Sequence, residues 1–464
     1  MQDFLHASQD DVLEAVERFE RMVSTDKEVY FDVHQVENIF EFYLDKNLID
    51  QAEQILAIGL KQHPQATSLK VKKAGLLADN NQLEQALILL QEVAPIESTN
   101  YEVFITMGWV KMRLGKIKEA VAHFHKAVDM AFDDEEDILL EIAYNMHQEE
   151  IYDESIPFLN KLISKNPTHE NALFELAFAM DKNGKRKESI QLYERLLDVN
   201  PFSENGWYNI GILYNKEERF LDASRAYDFT LAINPLHSEA YFNKGNSLAF
   251  NGCFKEALDA YLEHISLSND VLLTYQYIAD CWEQMGNYDM AIRFYKLITK
   301  ELPDSGDAWY GLGTAQMEKE DFKEGLQAID EAISKNPVNA DYWFAHARGL
   351  FELDKAEDAT RSLENGLNID PEEFSGWIEL FKLKQSLDEN FNANTYLLEI
   401  KDRYQGVAAI NYLGTIIYFK YLKNIPAAIK ELKIALDTSH DNLNTLLEEL
   451  PELLEVKEIK ELLP

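Results

Sequence analysis

Between Pro201 and Pro235 the apolar residues Trp207, Ile210, Gly211 and Tyr214 recur at spacings of three and four, which puts them on one stripe of a helix. The polar run "NKEERF" interrupts the stripe, and Phe220, Ala223, Tyr227, Leu231 and Ile233 begin a second one. The pattern predicts two helices joined by a short turn, and the residues after Pro235 say the same again. Six of the 12 prolines, Pro167, Pro201, Pro235, Pro303, Pro337 and Pro371, share one phase of a 34-residue period, with Asn269 in the missing place. Ten residues after each landmark stands a small residue: Ala177, Gly211, Gly245, Ala279, Gly313, Ala347. Twelve further on stands another (Ser189, Ala223, Ala257, Ala291, Gly325, Ala359), and four after that a bulky one (Tyr193, Tyr227, Tyr261, Tyr295, Ile329, Leu363).

Glycine inside a helix costs up to ~1 kcal/mol of propensity, so its recurrence calls for close helix approach. The small residue of the first helix is expected to receive the bulky residue of its neighbour, with Gly211 accepting alanine but not leucine. Proline, lacking an N–H, stops the second helix. One such hairpin cannot bury its own apolar face, whereas a stack of them forms a core that can be extended indefinitely.

Trp207, Gly211, Tyr214, Ala223, Tyr227 and Pro235 resemble the tetratricopeptide repeat in spacing and type. The resemblance extends outward through Gly108, Ala120, Phe124 and Ala127, and through Tyr43, Ala52, Leu56 and Pro64, with one residue inserted near 131–137. It loosens after about 373, where Phe381 replaces a small residue and Gly414 and Ala428 stand two residues too far apart. The fold it implies is an all-α, right-handed superhelix of about twelve helix-turn-helix repeats over 33–441, with an N-terminal capping helix in 1–32. The tail, 442–464, carries Leu443, Leu446, Leu447, Leu450, Leu454 and Ile459 at near-helical spacing, as a cap or as a docking helix.

Composition narrows the function. A chain of 464 residues with 46% apolar and 11% aromatic residues can bury a large core. Its net charge of -38, from 82 acids and 44 bases spread along the chain, repels phosphate backbones and anionic lipid, so basic proteins or peptides are the expected partners rather than nucleic acid or membrane. The first residues carry no basic start and apolar run, and no stretch reaches a spanning length, so neither a secretory signal nor a membrane span is expected. Two cysteines, Cys253 and Cys281, point to a reducing compartment, with the cytoplasm as the default.

No motif flags a catalytic nucleophile, a metal or a cofactor. The histidines form no HExxH and no cysteine-histidine cluster. The run Asp133, Asp134, Glu135, Glu136, Asp137 lacks the glycine and ligand spacing of a calcium loop and suits a helix start. "YGLG" at 310–313 has no strand before it and is expected to serve helix packing.

What remains is the inner face, which the resemblance assigns to the first helix of each pair. Seven residues after each landmark come Phe174, Tyr208, Phe242, Gln276, Tyr310, Phe344 and Ile378, an aromatic ladder that serves either packing or binding. Four further come Phe178, Ile212, Asn246, Asp280, Thr314, Arg348 and Lys382, varied as residues that read a ligand would be. The family's clamp for a chaperone C-terminal carboxylate is absent: Asn246 is in place, but Phe242, Tyr277, Asp307 and Gly311 occupy the other positions. Asp280 and Asp307 favour lysine or arginine instead. The expected function is a non-enzymatic scaffold that holds a protein or extended peptide by aromatic anchors and acidic steering. The alternatives are an assembly chaperone for basic or partly unfolded clients, and an adaptor arm of an enzyme complex.

Overall fold

The computed structural model describes residues 9–25, 28–131 and 134–463, and Asp133 of the acidic run lies outside them. Among the described residues every regular element is helical. The chain divides into two compact units, 1–213 and 214–464.

The first unit begins with helix Gln9–Thr25, which buries Ala15, Val16 and Phe19, the last edge-on to Phe31 and Tyr43. Helical hairpins then follow one another from Val33–Asp45 and Ile49–Gln62 to Glu170–Lys182 and Arg186–Val199. The second unit continues the series through Ala340–Glu352 and Ala356–Ile369 to Ala408–Ile416 and Ile425–Thr438, in keeping with about twelve repeats. Within each unit a helix packs against its sequence neighbours, so the core is a series of local layers.

The period in the sequence corresponds to contacts. Tyr193, Tyr227, Tyr261 and Tyr295 are all buried. A Cβ added to Gly245 would lie 2.4 Å from Cε1 of Tyr261, one on Gly108 2.4 Å from Phe124, and one on Gly313 2.7 Å from Ile329. At Gly245, one repeat on from Gly211, the Tyr261 ring therefore already occupies the space that a Cβ needs. Tyr295 goes elsewhere: its repeat has Ala279, and its ring lies against Gly311 of the next repeat, 2.4 Å from where a Cβ would be.

Turns between repeats are locked by a bond from the helix that follows. The indole N–H groups of Trp207, Trp309, Trp343 and Trp377 donate to the carbonyls of Pro201, Pro303, Pro337 and Pro371 at 2.8–2.9 Å. Turns within repeats place one residue in the left-handed region at the same period: Gly184, Glu218, Gly252, Gly286, Glu320 and Asp354.

The C-terminal departures have physical causes. Phe381, where a small residue was expected, is buried among Phe391, Tyr396 and Tyr421 at centroid distances of 4.9–6.0 Å. Helix Ala408–Ile416 runs into a π-helical turn, Ile417–Tyr421, which absorbs extra residues before Ala428. Every residue of Ala408–Ile416 is buried. The tail folds as helix Leu443–Glu449, a 3-10 turn Pro451–Glu455 and a short helix Lys457–Lys460, burying Leu443, Leu446, Leu450, Leu453 and Ile459 in the same cluster as Phe381 and Tyr412. Leu454 stays exposed, and Glu449 pairs with Lys382.

Among the described residues no helix is long and apolar enough to cross a membrane, and no group of three or more His, Cys, Asp or Glu could hold a metal ion. Glu135 ties its helix start to the end of the following helix, Tyr152–Lys165, by pairing with Lys165 and with Lys161 at 2.9 Å, which hold its carboxyl below the usual range.

Candidate partner-binding face

The first helices of the second unit carry most of the ladder, and its aromatic rungs Phe242, Tyr310 and Phe344 are half-buried, each ring leaning on a neighbouring helix. Phe242 on Ser238–Phe250 rests against His264 at 5.3 Å and edge-on to Tyr277 at 5.5 Å. Asn246, one turn on, accepts a bond from the Tyr261 hydroxyl at 2.8 Å. Tyr310 on Gly306–Glu318 stacks on Tyr342 at 5.1 Å, and the Tyr342 hydroxyl donates to the exposed Asp307. Phe344 on Ala340–Glu352 is more deeply engaged. Its ring lies where side chains at Gly366 and Gly376 would begin, 2.6 and 3.1 Å from their added Cβ atoms, and so joins its own second helix to the next first helix. The ladder ends at Ile378, which is buried.

Between these rungs lies an acidic group that the sequence spacing revealed only in part. Asp280 and Glu283, three residues apart on Leu272–Gln284, both accept from the Tyr295 hydroxyl, at 2.9 and 3.3 Å. Burial raises the Asp280 carboxyl, and burial together with the Asp280 charge pushes Glu283 up to about 7. Among the described residues neither carboxylate is ion-paired with a lysine or arginine. Arg348, two repeats on, is exposed and paired with Glu318 at 3.0 Å. The anticipated basic end of the face is thus already engaged, Arg348 by Glu318 and Lys382 by Glu449. Glu283 escaped the sequence reading because it stands three residues beyond the compared position. The i, i+3 spacing of two acids on one stripe was the available signal.

The first unit has its own rungs. Phe174 is edge-on to Tyr193 at 5.7 Å. Phe178 is edge-on to Tyr152 at 5.9 Å and carries the Lys182 ammonium 5.2 Å from its centroid. Beside it His147 joins two repeats, with Nδ1 2.7 Å from Glu175 and Nε2 2.8 Å from the Ser155 hydroxyl. Tyr208 is half-buried.

The raised Glu283 gives a pH signature. The folded state holds a proton on Glu283 up to about 7 against an ordinary 4.5, so its contribution to stability is complete below pH 4.5 and is lost as pH rises through that window. Glu283→Gln is expected to raise the melting temperature relative to the parent at pH 8 and to leave it nearly unchanged at pH 4.5. Equal differences at both pH values would contradict the assignment.

Four models of the tetratricopeptide repeat match the sequence, over residues 101–134, 171–203, 208–270 and 283–349. The chain is a tetratricopeptide-repeat protein. No curated protein sequence matches it. Among solved structures, that of the MamA protein is 20% identical, covers 36% of this chain and 92% of its own, and superposes with a TM-score of 0.35. YrrB, described as a TPR protein with an unusual peptide-binding site, is 15% identical over 42% of this chain and 97% of its own, with a TM-score of 0.36. A tetratricopeptide repeat protein from Parabacteroides merdae is 17% identical over 53% and 98%, with a TM-score of 0.39. The family assignment rests on the four repeat models. They cover Phe174, Phe178, Tyr208, Phe242, Asn246, Tyr310, Phe344 and Arg348.

Proposed function

We propose that this tetratricopeptide-repeat protein is a non-enzymatic scaffold that holds a partner protein or extended peptide of basic character on the open side of its first helices. The observation that carries this reading is the Asp280–Glu283 pair, two half-buried carboxylates sharing one tyrosine hydroxyl, with no lysine or arginine among the described residues paired to either. A lysine or arginine of the partner would supply the missing charge and restore Glu283 to its ionised form. Tyr310 and Phe242, on the first helices after and before the pair, are the apolar anchors, and the exposed Asp307 adds negative charge one turn from Tyr310. In the first unit, Phe174, Phe178 and Tyr208 offer a separate apolar face. Free Cys253 and buried Cys281 suit a reducing compartment, and we place the protein in the cytoplasm.

The test takes the stoichiometric partner captured by the tagged full chain and measures its affinity for variants by calorimetry. Tyr310→Ala is expected to weaken binding by about 2 kcal/mol, as loss of an aromatic anchor does. Asp280→Lys is expected to slow association, more at low salt than at high. Unchanged binding in both variants, with melting temperatures preserved, would move the interaction off this face.

A further inference from the structure

Two consecutive first helices of the second unit, Ala340–Glu352 and Phe374–Leu387, face each other across a cavity of about 450 Å³. Ala347, Arg348, Phe351 and Glu352 line it from one side and Glu379, Lys382, Leu383 and Ser386 from the other, each set at the spacing of a single helical stripe. Leu363, from the second helix between them, Ala356–Ile369, closes the bottom together with Ala347 and Leu383, and all three are buried. Ala347 is the small residue of its repeat, and Phe351, 55% exposed, leaves the space above it open. A floor of this kind gains free energy when an apolar group covers it.

Charge at the mouth says what that group travels with. Arg348 and Lys382 are both committed, Arg348 to Glu318 at 3.0 Å and Lys382 to Glu449 of the tail. Glu352 and Glu379 are exposed, and neither is ion-paired among the described residues. Glu379 feels both cations without pairing with either. Four carboxylates therefore stand against two cations, so an anionic segment is repelled, and a lysine or arginine beside the apolar group finds an unpaired carboxylate on each wall. The tail shows how the same helix is covered further on. It brings Leu446 and Leu450 into the cluster that holds Phe381 and Leu383, and it meets the cavity at Lys382 through Glu449. An apolar side chain next to a charge is what this face already holds.

We propose that the cavity seats one bulky apolar side chain, of the size of leucine or phenylalanine, from a partner segment that carries lysine or arginine on either side of it, received by Glu352 and Glu379. As part of the proposed partner-binding face the cavity rests on that reading, and it adds to the rungs an apolar subsite of its own.

The probes are acetyl-Lys-Phe-Lys-amide, its counterpart acetyl-Lys-Ser-Lys-amide and the acidic acetyl-Glu-Phe-Glu-amide, titrated into the full chain carrying 4-fluorophenylalanine in place of Phe351. The first peptide is expected to shift the fluorine resonance saturably, the serine peptide not at all, and the acidic peptide to bind at least about tenfold more weakly. Ser386→Phe, at an exposed lining position, fills the space and is expected to weaken the first peptide at least about tenfold with the melting temperature unchanged. Glu352→Gln with Glu379→Gln is expected to weaken it too. No saturable shift with any peptide, a serine peptide that shifts the resonance as far as the phenylalanine peptide, or an acidic peptide that binds as tightly as the basic one would overturn the proposal. With the captured partner, affinity lowered by Tyr310→Ala and untouched by Ser386→Phe would overturn the cavity and leave the wider reading in place.

Discussion

Replacing Gly245 by leucine is expected to destabilise the protein by about 3 kcal/mol or more, and alanine at the same place by about 1–3 kcal/mol, because overpacking forces a displacement in a filled layer. The reason is local. Tyr261 packs against Gly245 with Cε1 2.4 Å from where a Cβ would be, and its hydroxyl is fixed to Asn246. The ring cannot swing aside without losing that bond. Tyr261→Leu should therefore relieve the clash while costing the bond to Asn246, so Gly245→Ala should be less damaging in the Tyr261→Leu background than in the parent. Urea midpoints of the four proteins measure this coupling. Equal damage in both backgrounds would mean that ring and glycine do not share the contact.

Leu446→Ala is expected to cost about 2–5 kcal/mol, the range for deleting a fully buried leucine. Leu446 belongs to the tail and is buried in the cluster that contains Tyr412, Leu413 and Ile416 of helix Ala408–Ile416. That helix is buried on every side, unlike the half-open first helices before it, so loss of the tail would leave an apolar face to water. Amide exchange of residues 408–417 should accelerate in Leu446→Ala and remain at the parent rate in Leu454→Ala, which removes an exposed leucine. If the two variants exchange alike, the tail does not shield that helix.

These two cases show what the sequence makes legible. Proline phase and the alternation of small with bulky residues located the hairpins, because each is a steric requirement met by few residue types. The left-handed turn position was harder to see. Gly184, Gly252 and Gly286 mark it, but Glu218, Glu320 and Asp354 occupy it elsewhere, held there by the hairpin against their own preference. The π-helical turn at 417–421 has no comparable residue signature and showed only as a spacing two residues too long. At the candidate site the sequence placed Phe242, Tyr310 and Phe344 on one rung series, yet depth depends on partners from other repeats. Tyr342 lies under Tyr310, and Gly366 and Gly376 admit Phe344, so the same rung is an open platform in one repeat and an internal joint in another. Asp280 was visible alone. Its coupling to Glu283 through Tyr295 required the neighbouring helix to be in place.

A partner lying on the open side of the first helices would be within reach of a crosslinker placed at Tyr310 and out of reach of one on a second helix. Photo-crosslinking from benzoylphenylalanine in place of Tyr310, and separately in place of Leu262, an exposed residue of second helix Phe254–Leu267, tests that placement most directly. The captured partner is expected to crosslink from position 310 and not from 262. Crosslinking from 262 with none from 310 would contradict the account.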